Sequence, residues 1–236
     1  METYTYGKHA VESLLLSDTE VDKLFVLKNA PLGKLYGIAK EKGIEIRTVD
    51  RKKLDELSNN GNHQGIVALS GGYSYCDLDD FLSENKNSLI VMLDGIEDPH
   101  NLGAILRTAE CSGAELVIIP KRRSAWVNET VRKVASGAAD LVKVAQVTNL
   151  TRTVKLLKEN GYWIFGADMS GDLYYNAPLE RPLVLVIGGE GKGISRLVRE
   201  NLDGTVSIPL KGRIKSLNAS NACAVLLYEV VRRESV

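Results

Sequence analysis

From Leu89 to the end, the chain alternates short, mostly apolar runs with longer stretches of helical spacing. Leu89–Leu93, Leu116–Ile119, Val142–Val144, Trp163–Ala167, Val184–Ile187 and Thr205–Ile208 read as strands. Leu102–Ser112, Asn128–Ser136, Leu150–Asn160, Ser195–Asn201 and Asn218–Glu234 read as helices. Strands that are apolar at successive positions must be covered on both faces, and the intervening helices supply that cover. This pattern predicts an α/β domain with a mainly parallel sheet.

The segment before Leu89 makes a smaller α/β domain. Helices are expected at His9–Leu16, Leu32–Lys42 and Arg51–Ser58, the last capped by Asp50, with strands at Lys23–Leu27, Ile44–Val49 and Ile66–Leu69. Residues 59–62 form a turn cluster, and residues 70–75, with Gly71 and Gly72 at their centre, suit a linker. Leu78–Leu82 suits a short helix, and Asn85–Asn87 marks the next boundary. The expected division is a first domain over 1–70, a linker over 71–87 and a second domain over 88–236.

The formal net charge is zero, so no global field announces a nucleic-acid partner. Local clusters do exist, at Lys121-Arg122-Arg123, at Arg132-Lys133, and at Lys211, Arg213 and Lys215; they track phosphates only if the fold gathers them. The three cysteines have no close pairs and the three histidines lack ligand spacing. No disulfide frame and no metal is expected, and a reducing compartment is. No apolar run reaches membrane-spanning length, and Met1-Glu2-Thr3-Tyr4 lacks a signal-peptide profile. The expected location is cytoplasmic.

Three stretches carry the chemistry. In residues 206–221, a strand ends at Pro209, a polar basic loop follows, and Asn218 is placed to cap a helix whose first turn is small and polar. Residues 188–193 form a glycine loop between a strand and a helix. A Walker A loop would need Gly at position 186 and Ser or Thr at 193, where Val186 and Gly193 stand. The dinucleotide-binding spacing fails at Ile194. Bare backbone can still lie against a flat adenine or ribose. Glu190 is the one carboxylate in that loop, placed to be solvated or to fix neighbouring loops. In residues 93–109, Asn101 reads as the cap of helix Leu102–Ser112, and Arg107 stands among Ile105, Leu106 and Ala109. A guanidinium on an otherwise buried helix needs a partner, and phosphate or ribose suits its planar fork.

Together, residues 93–109, 185–194 and 206–221 resemble, in order and spacing, the signature motifs of the SpoU group of SPOUT RNA 2'-O-ribose methyltransferases. The resemblance runs from about Ser88 to the C-terminus. Residues 6–11 and 62–68 are similar to the substrate-binding domain of the subfamily that methylates a guanosine of 23S ribosomal RNA.

The resemblance implies an L30e-like N-terminal domain, a catalytic domain with a C-terminal trefoil knot, and S-adenosylmethionine as cofactor. It also implies a homodimer, for which helix residues Ala222–Val231 offer an apolar stripe. Carried over by motif, Gly188, Ile208 and Leu217 hold the cofactor, while Asn101, Arg107, Glu190, Ser216 and Asn218 are the catalytic set. No His or Asp occupies a matched position as base. A guanidinium keeps its proton at neutral pH, so stabilisation of the alkoxide or a phosphate relay is the expected role for Arg107. The loop Asn62–Gly65 is the expected RNA contact of the first domain.

Three alternatives stand beside this reading. A tRNA ribose methyltransferase would belong to a shorter group without the first domain. A thiopeptide-resistance-type methylase would modify adenosine. A non-catalytic RNA-binding assembly factor would not need the complete motif set.

Overall fold

The computed structural model describes residues 3–16, 21–28, 30–70 and 73–235. Met1 and Glu2, and Gly71 and Gly72 at the centre of the expected linker, lie outside the described residues. The chain divides into two compact units, 1–74 and 75–236.

The first unit runs β1 (Thr3–Tyr6), α1 (Lys8–Leu16), β2 (Val21–Leu27), α2 (Lys34–Glu41), β3 (Glu45–Val49), α3 (Arg51–Leu57) and β4 (Ile66–Ser70). Its sheet has the order β1-β4-β2-β3. Strand β4 is antiparallel to both neighbours, and β2 is parallel to β3. Val11, Leu15, Leu24, Leu35, Ile66 and Ala68 close its core. Asp50 caps α3 as expected, accepting from the Lys53 amide at 2.8 Å. Strand β1 is an addition: Thr-Tyr-Thr-Tyr on a sheet edge, mostly exposed, carries no apolar signal.

The loop expected to meet RNA is partly spent on the fold. His63 is buried, with Nε2 3.0 Å from an Asp55 carboxylate oxygen and Nδ1 accepting from the Gly65 amide at 2.9 Å. The Gln64 side-chain oxygen accepts from the Lys8 amide at 2.9 Å. Of the loop's three polar side chains, Asn62 alone is left exposed with no such tie among the described residues.

The second unit runs α4 (Leu78–Glu84), β5 (Leu89–Asp94), α5 (Pro99–Cys111), β6 (Leu116–Pro120), α6 (Glu129–Ala135), β7 (Lys143–Val147) and α7 (Leu150–Glu159). It continues through β8 (Trp163–Leu173), β9 (Leu183–Gly188), α8 (Arg196–Arg199), β10 (Gly204–Ser207) and α9 (Ala219–Glu234). The sheet order is β10-β8-β9-β5-β6-β7, and every adjacent pair is parallel. The central strands β5 and β9 are buried from Leu89 to Leu93 and from Leu183 to Ile187. Each such side chain removed from water contributes about 1.5–3 kcal/mol.

Two expectations need correction, and a third is met in part. Part of the expected 71–87 linker is core: Cys76 bridges to Ala145, and Phe81 and Leu82 of α4 pack under the sheet. Strand β8 continues six residues past Ala167, because its polar far half pairs with β10 through Asp172 and Leu173. The apolar stripe of α9 is divided: Cys223, Leu226, Leu227 and Val230 are buried beside α5 and β9, while Ala222, Ala224, Val225 and Val231 are half-buried and Tyr228 is exposed.

Candidate active site

In an all-parallel sheet the loops after the strands gather on one edge, and here the loops after β5 and β9 lock together. The Asp94 carbonyl accepts from the Gly189 amide at 2.8 Å, and its carboxylate accepts from the Ser195 amide at 2.7 Å. A Cβ at Gly189 would stand 2.1 Å from the Gly95 carbonyl oxygen, and one at Gly188 would stand 2.2 Å from the Gly193 carbonyl carbon. Backbone occupies both places, so only glycine fits. Gly191 and Gly193, at φ of +79° and +62°, have no atom within 4 Å of a Cβ position.

Beside this loop lies a cavity of about 510 Å³. Its walls are the glycine loop, Ala167, Asp168 and Met169 of β8, Ile208 and Leu210 after β10, and Ser216 to Ala219 at the start of α9. The walls are backbone and aliphatic side chains, with carboxylates at Asp168 and Glu190. Partial burial pushes the Asp168 carboxyl up. Hydrogen bonds from the Ser170 hydroxyl and amide, with the Arg199 charge, outweigh that and hold it below the usual range.

A closed polar triangle joins three loops at the cavity's edge. Asn218 Nδ2 donates to Asn101 Oδ1 at 2.9 Å and to Glu190 Oε1 at 2.8 Å. Asn101 Nδ2 donates to the same Glu190 oxygen at 3.1 Å. The other end of Asn218 caps α9, its Oδ1 accepting from the Ser220 amide at 2.9 Å and hydroxyl at 2.6 Å. A carboxylate taking two amide donors is held in place by charge-assisted bonds.

Asn101 is not a helix cap, contrary to the sequence expectation. Asp98 caps α5 instead, accepting from the His100 amide at 2.9 Å, with Pro99 at the first helical position. That leaves the buried Asn101 side chain free for the triangle.

Of the other expected residues, Gly188, Ile208, Ser216 and Leu217 all line the cavity. Arg107 does not. It lies exposed on α5 and, among the described residues, makes no side-chain hydrogen bond or ion pair. Its exposure removes the supposed need for a buried partner and leaves the guanidinium available to a ligand. Asp168, Met169 and Leu210 line the cavity without having been expected. Asp168 carried a weak signal, a carboxylate directly after an apolar strand run.

The sequence profile of the SpoU rRNA Methylase family matches residues 88–228. That of the RNA 2'-O ribose methyltransferase substrate-binding family matches residues 4–76. A protein of Staphylococcus haemolyticus named as a TrmH family tRNA/rRNA methyltransferase is 43% identical over 235 residues, 96% of this chain and 94% of its own. YacO of Bacillus subtilis, named likewise, is 43% identical over 240 residues, 98% of this chain and 96% of its own. Among solved structures, the SpoU methyltransferase AviRb of Streptomyces viridochromogenes, in complex with AdoMet, superposes with a TM-score of 0.65. It is 25% identical, over 99% of this chain and 91% of its own. A TrmH-family RNA methyltransferase of Porphyromonas gingivalis gives 0.63 at 26% identity, covering 98% and 90%. The glycine-locked cavity, the asparagine triangle and these matches lead to one conclusion: the chain belongs to the SpoU rRNA methylase family and is an RNA methyltransferase.

Proposed function

We propose that this protein methylates a ribose 2'-hydroxyl of a guanosine in 23S ribosomal RNA, with S-adenosylmethionine as donor. The observation that carries the reading is the Asn101–Glu190–Asn218 triangle at the edge of the glycine-lined cavity. The cavity fits the cofactor in its own terms. Open backbone at Gly191 and Gly193, with aliphatic Ile208 and Leu217, suits a flat purine and its ribose. The carboxylates of Asp168 and Glu190 suit a cation. Bound there, S-adenosylmethionine supplies an electrophilic methyl group on a sulfonium.

The chain's own residues align and polarise. Gly188, Ile208 and Leu217 hold the cofactor. Asn101 and Asn218 fix Glu190 and with it the relative positions of three loops. Ser216 hydrogen-bonds the substrate ribose. Arg107 keeps its proton and stabilises the developing alkoxide by charge, while positioning the adjacent phosphate. Alignment is the larger contribution in an in-line transfer of this kind.

The remaining assignments belong to the same reading. The catalytic part closes its C-terminal segment in a trefoil knot. The protein works as a cytoplasmic homodimer whose site takes a residue from the second copy. The first unit, L30e-like, reads the ribosomal substrate, in accord with the substrate-binding profile over residues 4–76.

Ribonucleoside mass spectrometry tests the proposal. Deleting the gene should remove one 2'-O-methylguanosine from 23S RNA, and restoring it should return that nucleoside. Loss from tRNA instead would move the substrate to the rival class. No change in either RNA would contradict the activity.

A further inference from the structure

The loop that follows β6 was not absorbed by the active site. Lys121, Arg122 and Arg123 stand there in succession, all exposed. Among the described residues none of the three makes a side-chain hydrogen bond or ion pair, whereas Arg181, Arg199, Arg232 and Arg233 all do. Three residues later comes Trp126, whose surface is 62% exposed.

The backbone on either side of Trp126 is fixed. The Ala125 amide donates to the Ile96 carbonyl at 2.8 Å, and the Val127 amide donates to the Tyr75 hydroxyl at 3.0 Å. Ala125 and Val127 are themselves buried. The indole is therefore left in solvent by a clamped backbone, not by a loose loop. Ile96 lies in the turn joining β5 to α5, and its neighbour Gly95 packs its carbonyl against Gly189 of the glycine loop. A single turn thus separates Trp126 from the cavity loop.

An exposed indole three residues after a run of three unpaired cations combines the two elements of single-strand recognition, a flat face for a base and charge for the backbone. A protein partner would call for a wider apolar patch, and residues 121–124 are charged or polar. We infer that Trp126, with Arg122 and Arg123, is a stacking platform and phosphate clamp for single-stranded RNA flanking the methylated nucleotide. This rests on the reading above that the substrate is RNA, and adds a specificity-determining surface to it.

The chain contains its own control. Its second tryptophan, Trp163, is 58% exposed but is the first residue of β8, paired with the first residue of β9 at the end of the parallel sheet away from the loops that wall the cavity. The test uses the full chain as two single-tryptophan variants, Trp163→Phe and Trp126→Phe. Each is titrated by fluorescence with an unstructured oligo(U) of about twelve nucleotides and with 23S ribosomal RNA. Emission from Trp126 should be quenched as RNA binds, and emission from Trp163 should not change. Trp126→Ala should weaken RNA binding about five- to a hundredfold, with Trp126→Phe in between. The double variant Arg122→Ala/Arg123→Ala should lower the salt slope of binding by about 1.4. S-adenosylmethionine affinity should stay unchanged in all of them. RNA binding with unquenched Trp126 would overturn the inference and leave the proposed function standing. Emission from Trp126 that follows protein concentration and ignores RNA would overturn it in favour of a contact between copies. Failure of the full chain to bind either RNA would overturn this inference together with the reading beneath it.

Discussion

Two helices begin at the edge of the cavity, and each brings an asparagine, yet the two starts are built differently. At α5 the work is divided: Asp98 caps the helix and Asn101, one turn in, is free to bond Glu190 and Asn218. At α9 one residue does both jobs, since Asn218 caps with its oxygen and reaches the site with its nitrogen. Stability and site geometry are separable at the first helix and coupled at the second.

The largest effect is expected at the coupled start. Asn218→Ala removes a cap and two site donors, so it should lower Tm, cost about 1 kcal/mol of stability and reduce methyl transfer by about a hundredfold or more. Asn101→Ala should reduce transfer comparably while leaving thermal stability closer to wild type, because Asp98 still caps α5. Equal stability losses in the two variants, measured by denaturant unfolding, would break the comparison.

Next comes Arg107, which shares α5 with Asn101 but is not tied to the triangle. Arg107→Ala should reduce transfer by about a hundredfold or more while calorimetry finds S-adenosylmethionine binding intact. Near-normal turnover would remove it from the substrate side.

A smaller effect isolates the cap. Asp98→Ala should cost about 1 kcal/mol and leave transfer close to wild type, the reverse of Asn101→Ala.

Much of this was legible in the chain and some was not, for reasons that differ by region. The central strands were visible because Leu89–Leu93 and Val184–Ile187 are apolar at every position, which only a sheet covered on both faces requires. Edge elements carried less signal. Strand β1 faces solvent, and the far half of β8 pairs with β10 alone, so neither needs an apolar run. Two residues near the start of α5 can cap a helix, and the Asp98-Pro99 pair states the start more strongly than Asn101 does. The triangle joins residues 89 and 117 positions apart, a distance no spacing rule spans. The motifs group those residues, and only the fold shows which atoms meet.

The smallest expected effects concern the body of α9. Burial pushes the Cys223 thiol up to about 12, so it should resist alkylation while the exposed Cys111 reacts. Asn218→Ala should speed Cys223 modification about fivefold if loss of its cap loosens the helix, and Asn101→Ala should not. Farther along, hydrogen bonds from Arg232 and then Arg233 hold the Glu229 carboxyl down to about 2, from an ordinary 4.5. A carboxyl with a lowered folded pKa stabilises fully above its unfolded value, and that contribution fades as pH falls through the folded one. Its share of stability should hold above about pH 4.5 and decline toward about pH 2. Glu229→Gln should remove that part of the acid dependence, whichever asparagine is intact.

The most direct measurement replaces Asn218 with aspartate and follows tritiated methyl transfer to substrate RNA beside thermal unfolding. Aspartate keeps the capping oxygen, removes both donors and sets a second carboxylate against Glu190. If the amide donors organise the site, Asn218→Asp should lose methyl transfer by about a hundredfold or more while retaining a better helix cap than Asn218→Ala. Transfer at the wild-type rate by Asn218→Asp would contradict that claim.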